Sequence, residues 1–294
     1  MKNYKKILAI SIILLIISYF FWKSTEEKIA NLDISKQINF DSIDFAGEKV
    51  SFDGAHYFNK EKFVKELNIT RFNTYQFVLY HKREAIYFPF IEKKLKEAGI
   101  PDDFKYLAVA ESALKNDALS DSNAGGIWQF IPETGKRFGL TINANIDERY
   151  NFEKETDAAV AYFQKLYKDF GNRTLVAAAY NRGENGLQRA LDDQNVKSYY
   201  DLYLNEETSR YVWRILAIKY IMINRYNIFD KEELGEKFSP PKTKAEIVVS
   251  DGKLDIKKRI SEKGYIYANI KNLNVWIIGD ILPKGSWTIK ILDY

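Results

Sequence analysis

The sequence predicts a mainly α protein closed by a small carboxy-terminal α+β module, and three observations carry that reading. Apolar residues recur at helical spacing through 89–98, 104–114, 155–170 and 207–226. Helix-stopping residues stand where those stretches must end, with Gly99 and Pro101 after the first and Gly171 after the third. At Ser239-Pro240-Pro241 the texture changes, and the remaining chain mixes strand-like and helix-like segments. The organisation read from this is a signal-anchor segment at 1–24, a stalk at 25–60, a helical domain at 61–238 and a small β-α-α-β module at 239–294.

Residues 1–24 read MKNYKKILAISIILLIISYFFWKS. Lys2, Lys5 and Lys6 precede an uncharged apolar run from Ile7 to Trp22, which Lys23 closes. That is the layout of a secretory signal or a short membrane anchor. Bulky rings at Tyr19 to Trp22 stand where a signal peptidase needs small side chains, and Tyr19 and Trp22 suit a membrane interface, so a retained anchor is expected over a cleaved signal. At about 1.5 Å per residue the run is slightly short for roughly 30 Å of hydrocarbon. Flanking lysines can snorkel to make up the difference. Lysines ahead of the span keep the amino terminus cytoplasmic and put the rest of the chain outside.

Residues 25–60 are mixed and charged, and the pattern turns helical from about Asn59. Pro89 to Ala98 is expected as an amphipathic helix with its proline in the first turn. Pro101, Asp102 and Asp103 open the next helix, acids in its first turn, and this helix is expected to carry YLAVAESAL (106–114). A polar stretch then leads to GGIWQFIPETG (125–135) and RFGL (137–140). Glu155–Phe170, the Ala-rich Thr174–Tyr180 and Glu207–Tyr226 are the remaining helices. In the tail, AEIVV (245–249) reads as a strand, LDIKKRISEKG (254–264) and YIYANIKNLN (265–274) as short helices, and WTIKIL (287–292) as a closing strand.

Composition narrows the chemistry. With 46% hydrophobic, 15% aromatic and 29% charged residues, the 294-residue chain has the make-up of a folded protein. The net charge of +4 suits an anionic wall polymer, a nucleic acid or a lipid surface without choosing among them. There is no cysteine, which removes disulfides, thiol nucleophiles and zinc-thiolate sites. The two histidines, His56 and His81, are too few and too far upstream of the densest motifs for a zinc hydrolase. No G-x-S-x-G elbow supports a serine hydrolase.

Glu111 is the most telling position. Phe104, Leu107, Ala108, Glu111 and Leu114 fall on one stripe of a helix, and Tyr106, Val109, Ala110 and Ala113 make the opposite side apolar too. A carboxyl group there loses hydration, which favours its neutral form and raises its pKa, as a general acid near neutral pH requires. Periodicity alone leaves the alternative, a carboxylate paired with a core cation, at even weight.

The motifs that follow shift the balance. Glu111-Ser112, GGIWQFIP (125–132), Ala179-Tyr180-Asn181, and Glu207-Thr208 with Tyr211 occur in that order, with Asp147-Glu148-Arg149 between. From about Tyr87 to Val212 the sequence resembles the lytic transglycosylases of the soluble-lytic-transglycosylase, goose-type-lysozyme-like group. Ile-Trp-Gln in place of Leu-Met-Gln is typical of a membrane-bound branch. The resemblance implies a lysozyme-like α-helical catalytic domain. It implies Glu111 as the catalytic acid and base, and Ser120, Gly126, Gln129, Tyr180 and Asn181 as substrate-binding residues. Ser120 would line the cleft, Gly125 and Gly126 would allow close backbone approach, and Tyr180 with Asn181 would reach the sugar. Tyr211 would orient the catalytic carboxyl. Trp128 and Phe130 are expected in the core, and Asp147 with Arg149 as a structural ion pair. The family often has Leu-Pro before the Glu-Thr pair, whereas Leu204-Asn205 stands before Glu206-Glu207-Thr208 here.

Most glycoside hydrolases use two carboxylates, and no second acid occupies a matching motif position. Asp117 and Asp121 read as a solvated loop. The resemblance implies instead that the N-acetyl oxygen of N-acetylmuramic acid assists departure of the leaving group. The sugar's 6-hydroxyl then closes a 1,6-anhydro ring. Peptidoglycan glycan strands are the implied partner, with the membrane engaged through the amino-terminal segment. No nucleic acid, cofactor or metal is implied. The expected location is the cell envelope, with the catalytic domain on the periplasmic side.

The tail resembles a LysM-type unit through its element order, Leu273-Asn274 and the Pro283-Lys284-Gly285 turn, and an inert cap on the main domain is an equal reading. Two functional alternatives accompany the leading one: a hydrolytic muramidase on the same fold, and a wall-binding scaffold without chemistry.

Overall fold

The structure is a computed structural model and describes residues 15–20, 22–23 and 38–293. The chain falls into two compact units, residues 1–42 and 43–294. In the first, residues 15–20 and 22–23 are helical and Phe40–Ser42 form a 3₁₀ turn. Most of the expected anchor, and the stalk from 25 to 37, lie outside the described residues. Among the described residues no helix is long and apolar enough to cross a membrane.

The second unit opens with a hairpin of β1 (Asp44–Phe45) and β2 (Glu48–Lys49), whose two turn residues, Ala46 and Gly47, both have positive φ. Residues 43–60, expected as stalk, are folded here. Phe45 is fully buried with its ring 5.3 Å from that of Phe104. The Glu48 carboxylate accepts the backbone N–H groups of Arg173 and Thr174, an anion set on a helix start. A long-range apolar contact and a cap to a distant helix leave no local signature, which is why this segment reads as linker from sequence.

Helices α1 (Tyr57–Phe72) and α2 (Thr74–Glu97) follow, divided at Asn73, whose side chain caps α2 through the Gln76 N–H. Pro89, expected at a helix start, instead lies inside α2. Its missing N–H costs one ladder bond, on the order of 3 kcal/mol in a helix interior. The buried stripe of Phe77, His81, Glu84, Phe88, Ile91 and Leu95 runs through the proline and holds the helix together.

Next come α3 (Lys105–Ser112) and α4 (Pro132–Arg137). Helix α5 (Phe152–Phe170) is capped by Asn151 and ended by left-handed Gly171. Then follow α6 (Arg173–Arg182), α7 (Glu184–Gln194), α8 (Glu206–Ile228) and the short α9 (Lys231–Leu234). Helix α8 is the axis of the domain. Tyr211 to Trp213, Ile215 to Ile218, Ile221 and Met222 are all buried, so it is enclosed on nearly every side. The run of alanines 177–179 in α6 is fully buried, and side chains this small let the neighbouring helix come close.

The tail has the β-α-α-β order expected of it. Strand β3 (Thr243–Ser250) pairs antiparallel with β6 (Gly285–Leu292), Thr243 opposite Leu292. Between them lie β4 (Leu254–Asp255), α10 (Ile256–Glu262), α11 (Tyr267–Leu273) and β5 (Ile281–Leu282), with β4 and β5 paired to each other. Val248, Ile256, Ile260, Ile270, Trp276, Leu282, Ile289 and Ile291 form its core, and Ile146 from the helical domain completes it, fully buried. Burial of such a side chain is worth about 1.5–3 kcal/mol. Backbone bonds fasten the same place: Asp147 N–H donates to the Trp276 carbonyl, and Ile278 and Gly279 donate to that of Asn145. The tail is thus seated on the 143–147 loop.

Candidate active site

Helix α3, expected to run to Leu114, stops at Ser112, because Ala113 and Leu114 are both left-handed, φ 58° and 57°. Such a pair costs of order 1–3 kcal/mol per residue. The surroundings hold it, since Leu114 is fully buried and the Arg83 guanidinium donates to the Ala113 carbonyl. The abrupt stop leaves Glu111 in the last turn of α3 at the wall of a cleft rather than in mid-helix.

The cleft has a volume of about 450 Å³. Of the residues singled out from sequence, Glu111, Ser120, Gln129, Tyr180, Asn181 and Tyr211 line it together. Gly126 does not. It has φ +84°, and a Cβ there would lie 1.8 Å from the Arg149 carbonyl oxygen and 2.3 Å from the Glu155 carboxylate. The close approach that requires glycine is therefore made by the protein's own backbone behind the cleft wall. Asp117 and Asp121 are exposed and stand outside the cleft lining.

Around Glu111 the polar contacts are few. The Tyr211 hydroxyl donates to its Oε1 at 2.5 Å. Burial pushes the carboxyl up to about 7, against the Tyr211 bond and the Arg214 charge, which favour the anion, while Glu207 pushes the same way as burial. The residue is densely enclosed yet keeps part of its surface open to the cleft. Burial also holds the Tyr211 phenol far above the usual range, so at neutral pH it is a proton donor. At neutrality both forms of Glu111 are populated, as a group that must give and then take a proton requires. Among the described residues its one side-chain hydrogen bond comes from a neutral phenol and it forms no ion pair, Arg214 acting on it only as a nearby charge.

The opposite wall is the 118–131 loop. Ser112 Oγ donates to the Ile127 carbonyl at 2.9 Å, tying the end of α3 to this loop. Gln129, with φ 52°, donates from its amide to the carbonyls of Ala118 and Gly126. Ser120 Oγ accepts from the Ala124 N–H at 3.0 Å. Tyr180 donates its hydroxyl to the Trp128 carbonyl at 2.7 Å. Asn181 Nδ2 donates to Glu207 Oε1 at 3.3 Å. Trp128 and Phe130 are buried, as expected of core residues.

Behind the loop lie two buried supports. Glu155 accepts the backbone N–H groups of Ile127 and Trp128, and burial pushes its carboxyl well up. Arg149 pairs with Asp147 at 2.6 Å, the ion pair expected from sequence, and also donates to the carbonyls of Asn123 and Phe130. Three roles escaped the sequence reading. Glu155 lies on the apolar stripe with Ala158, Ala159, Tyr162, Phe163 and Leu166, the same signal that marked Glu111 and one that was legible. Arg214 and Glu207 line the cleft from α8, Glu207 as its second carboxylate beside Glu111; Glu207 stood in a motif with no role attached to it, and nothing local distinguishes Arg214.

Residues 88–202 match the family model described as Transglycosylase SLT domain. The chain is 36% identical over 153 residues to membrane-bound lytic murein transglycosylase D of Escherichia coli K12, covering 50% of this chain and 34% of that protein. It thus spans about a third of the length of the curated relative it matches. Among solved structures, an inactive variant of the lytic transglycosylase Slt of Pseudomonas aeruginosa is 25% identical, with a TM-score of 0.39 over 51% of this chain and 26% of that one. The 70-kDa soluble lytic transglycosylase of Escherichia coli is 18% identical, with a TM-score of 0.43 over 75% and 47%. Residues 88–202, with Glu111, Gln129, Tyr180 and Asn181 on them, carry the match to the transglycosylase SLT domain, and the chain is similar there to lytic transglycosylases.

Proposed function

We propose that the protein is a peptidoglycan lytic transglycosylase that cuts the β-1,4 bond between N-acetylmuramic acid and N-acetylglucosamine, with Glu111 as acid and then base. The observation that carries this reading is a single enclosed carboxyl, poised near neutrality by burial and one tyrosine hydroxyl, on the wall of a cleft and within the stretch that matches the SLT domain.

Glu111 protonates the glycosidic oxygen as the bond from C1 breaks, and the N-acetyl carbonyl oxygen of the muramic acid closes on C1. The carboxylate then takes the proton of the 6-hydroxyl, whose oxygen displaces the amide oxygen. A 1,6-anhydro ring results and no water is consumed. Tyr211 orients the carboxyl, while Ser120, Gln129, Tyr180 and Asn181 form the sugar-facing walls, with Gly126 letting the loop seat. A lysozyme-like arrangement of the helices, a LysM-like identity for residues 239–294, anchoring through residues 1–24 and action in the envelope outside the cytoplasm belong to the same proposal.

Glu207 favours a second reading. A second carboxylate in the cleft could activate water, which would make the enzyme a hydrolytic muramidase. Mass spectrometry of muropeptides released from purified sacculi decides between the two, since the anhydro product is lighter by one water. Glu111→Gln should release neither product while still binding glycan, and an active Glu111→Gln protein removes the proposed role.

A further inference from the structure

Helix α8 presents a ladder of three functional side chains to the cleft. Glu207, Tyr211 and Arg214 stand at i, i+4 and i+7, so they share one face, and all three line the cavity with Glu111. Seven residues of helix rise by about 10 Å. One end of this wall is therefore acidic, its middle holds the phenol bound to Glu111, and its other end is cationic.

The cation at that end is unspent. The other arginine of the cleft, Arg182, donates to the Gly186 carbonyl and to Asn205 Oδ1. Glu207 accepts from Asn181, and Glu111 from Tyr211. Arg214 makes no hydrogen bond and no ion pair among the described residues, and its charge reaches Glu111 only through space. A guanidinium offers a planar fork of N–H donors that fits a carboxylate two bonds at a time. We propose that Arg214 is a specificity-determining residue that grips the free lactyl carboxylate of a muramic acid, so that the preferred substrate is glycan stripped of its stem peptides.

This rests on the reading of the cleft as a transglycosylase site and narrows its substrate. On a stripped strand the lactyl ether of each muramic acid ends in a carboxylate, ionised at neutral pH, and the sugars carry no other charge. Once a stem peptide is attached, the same carbon is a neutral amide. The carboxylates of the stem lie further out on a flexible chain, and fixing one at the cleft costs ordering. Arg214 facing an amide would lose water without gaining a counter-charge, so the residue that attracts the stripped strand also discriminates against the substituted one. Glu207 at the opposite end repels the carboxylate and sets the direction in which the strand lies.

The test measures kcat/KM for the full chain in detergent micelles on two preparations of soluble, uncrosslinked strands, one bearing its stem peptides and one stripped of them by an amidase. Stripped strands should be cut about tenfold or more efficiently. Arg214→Gln, at a partly exposed position with no bond to lose, should keep the thermal transition and bring the two strands to within about twofold of each other. Arg214→Lys should keep part of the preference. Equal cutting of both strands by the unmutated chain overturns the proposal. So does an Arg214→Gln variant that loses the same factor on each, which is what a purely electrostatic influence on Glu111 would give. Binding is scored separately by calorimetry on the Glu111→Gln chain, with stripped strands and with the same strands after their carboxyls are converted to N-methylamides. Amidation should weaken binding about tenfold or more, and unchanged binding overturns the grip. If the unmutated chain cuts neither strand, the transglycosylase reading fails, while the amidation result still decides the role of Arg214.

Discussion

The Tyr211 hydroxyl donates to Glu111 Oε1 across 2.5 Å and so joins the middle of the domain to the last turn of the helix that carries the acid. This bond favours the ionised carboxyl and opposes burial, which favours the neutral one. Tyr211→Phe removes the opposing influence, and the carboxyl should rise further above about 7. The descending limb of the pH–rate profile, which reports loss of the acid form, should therefore move to higher pH. The unoriented carboxyl should also cost roughly tenfold in kcat, a fraction of the 10²–10⁴ that a positioned acid–base group contributes. Initial rates of muropeptide release between about pH 5 and 9 give both quantities. A limb that stays in place or moves to lower pH contradicts the assignment.

The same carboxyl sets a pH dependence of stability. Its folded value of about 7 stands above the ordinary 4.5. Below the lower value the group is protonated in both states and nothing is lost. Between the two values the folded state retains a proton that the unfolded chain releases, so stability falls as pH rises, and the full cost is present above about 7. Each unit is worth about 1.4 kcal/mol, and partial exposure to the cleft reduces the total to about 1–3 kcal/mol. Glu111→Gln cannot ionise and should be more stable than the unmutated protein by that amount at pH 8, with the difference closing near pH 4.5. Urea unfolding across pH tests this, and parallel curves for the two proteins rule it out.

The helices and the acid were legible because burial on a helix leaves a period in the sequence. Glu111 and Glu155 both interrupt an apolar stripe, and α5, with Asn151 before it and Gly171 after it, carries its own punctuation. What could not be read depends on contacts distant in sequence. Pro89 lies inside α2 because residues on both sides of it bury together, and Phe45 belongs to the folded unit because Phe104 is there to receive it. Glu207 stood in a motif, but its place in a cleft depends on the arrival of Asn181 from another helix. The stop of α3 at Ser112 is written in no glycine, since two ordinary residues adopt the left-handed turn under tertiary constraint.

Two left-handed glycines separate crowding from backbone strain. At Gly139, φ +90°, an added methyl would meet open space, so Gly139→Ala should cost about 1 kcal/mol of conformational strain. At Gly126, φ +84°, the added carbon would collide with the Arg149 carbonyl, and the loop carrying Gln129 must shift. Gly126→Ala should cost about 2–4 kcal/mol and most of the activity. Thermal unfolding of both variants measures the contrast, and equal losses would mean that the Arg149 backbone yields readily.

Arg149 spans from the tail's seat to the cleft. Asp147, whose N–H is bound by the Trp276 carbonyl, grips the guanidinium, and the guanidinium in turn holds the Asn123 and Phe130 carbonyls on the loop that carries Gln129. Both residues are about 4% exposed, so Arg149→Met strands a buried carboxylate and takes a donor from two carbonyls. The expected loss is about 3–5 kcal/mol. Adding Asp147→Leu removes the stranded charge, so the double variant should be more stable than Arg149→Met alone, though still about 1–3 kcal/mol below the unmutated protein for the lost carbonyl bonds. The loosened loop should raise KM for glycan in every variant that folds. An Arg149→Met protein within about 1 kcal/mol of the unmutated one would show that the span carries little of the loop's stability.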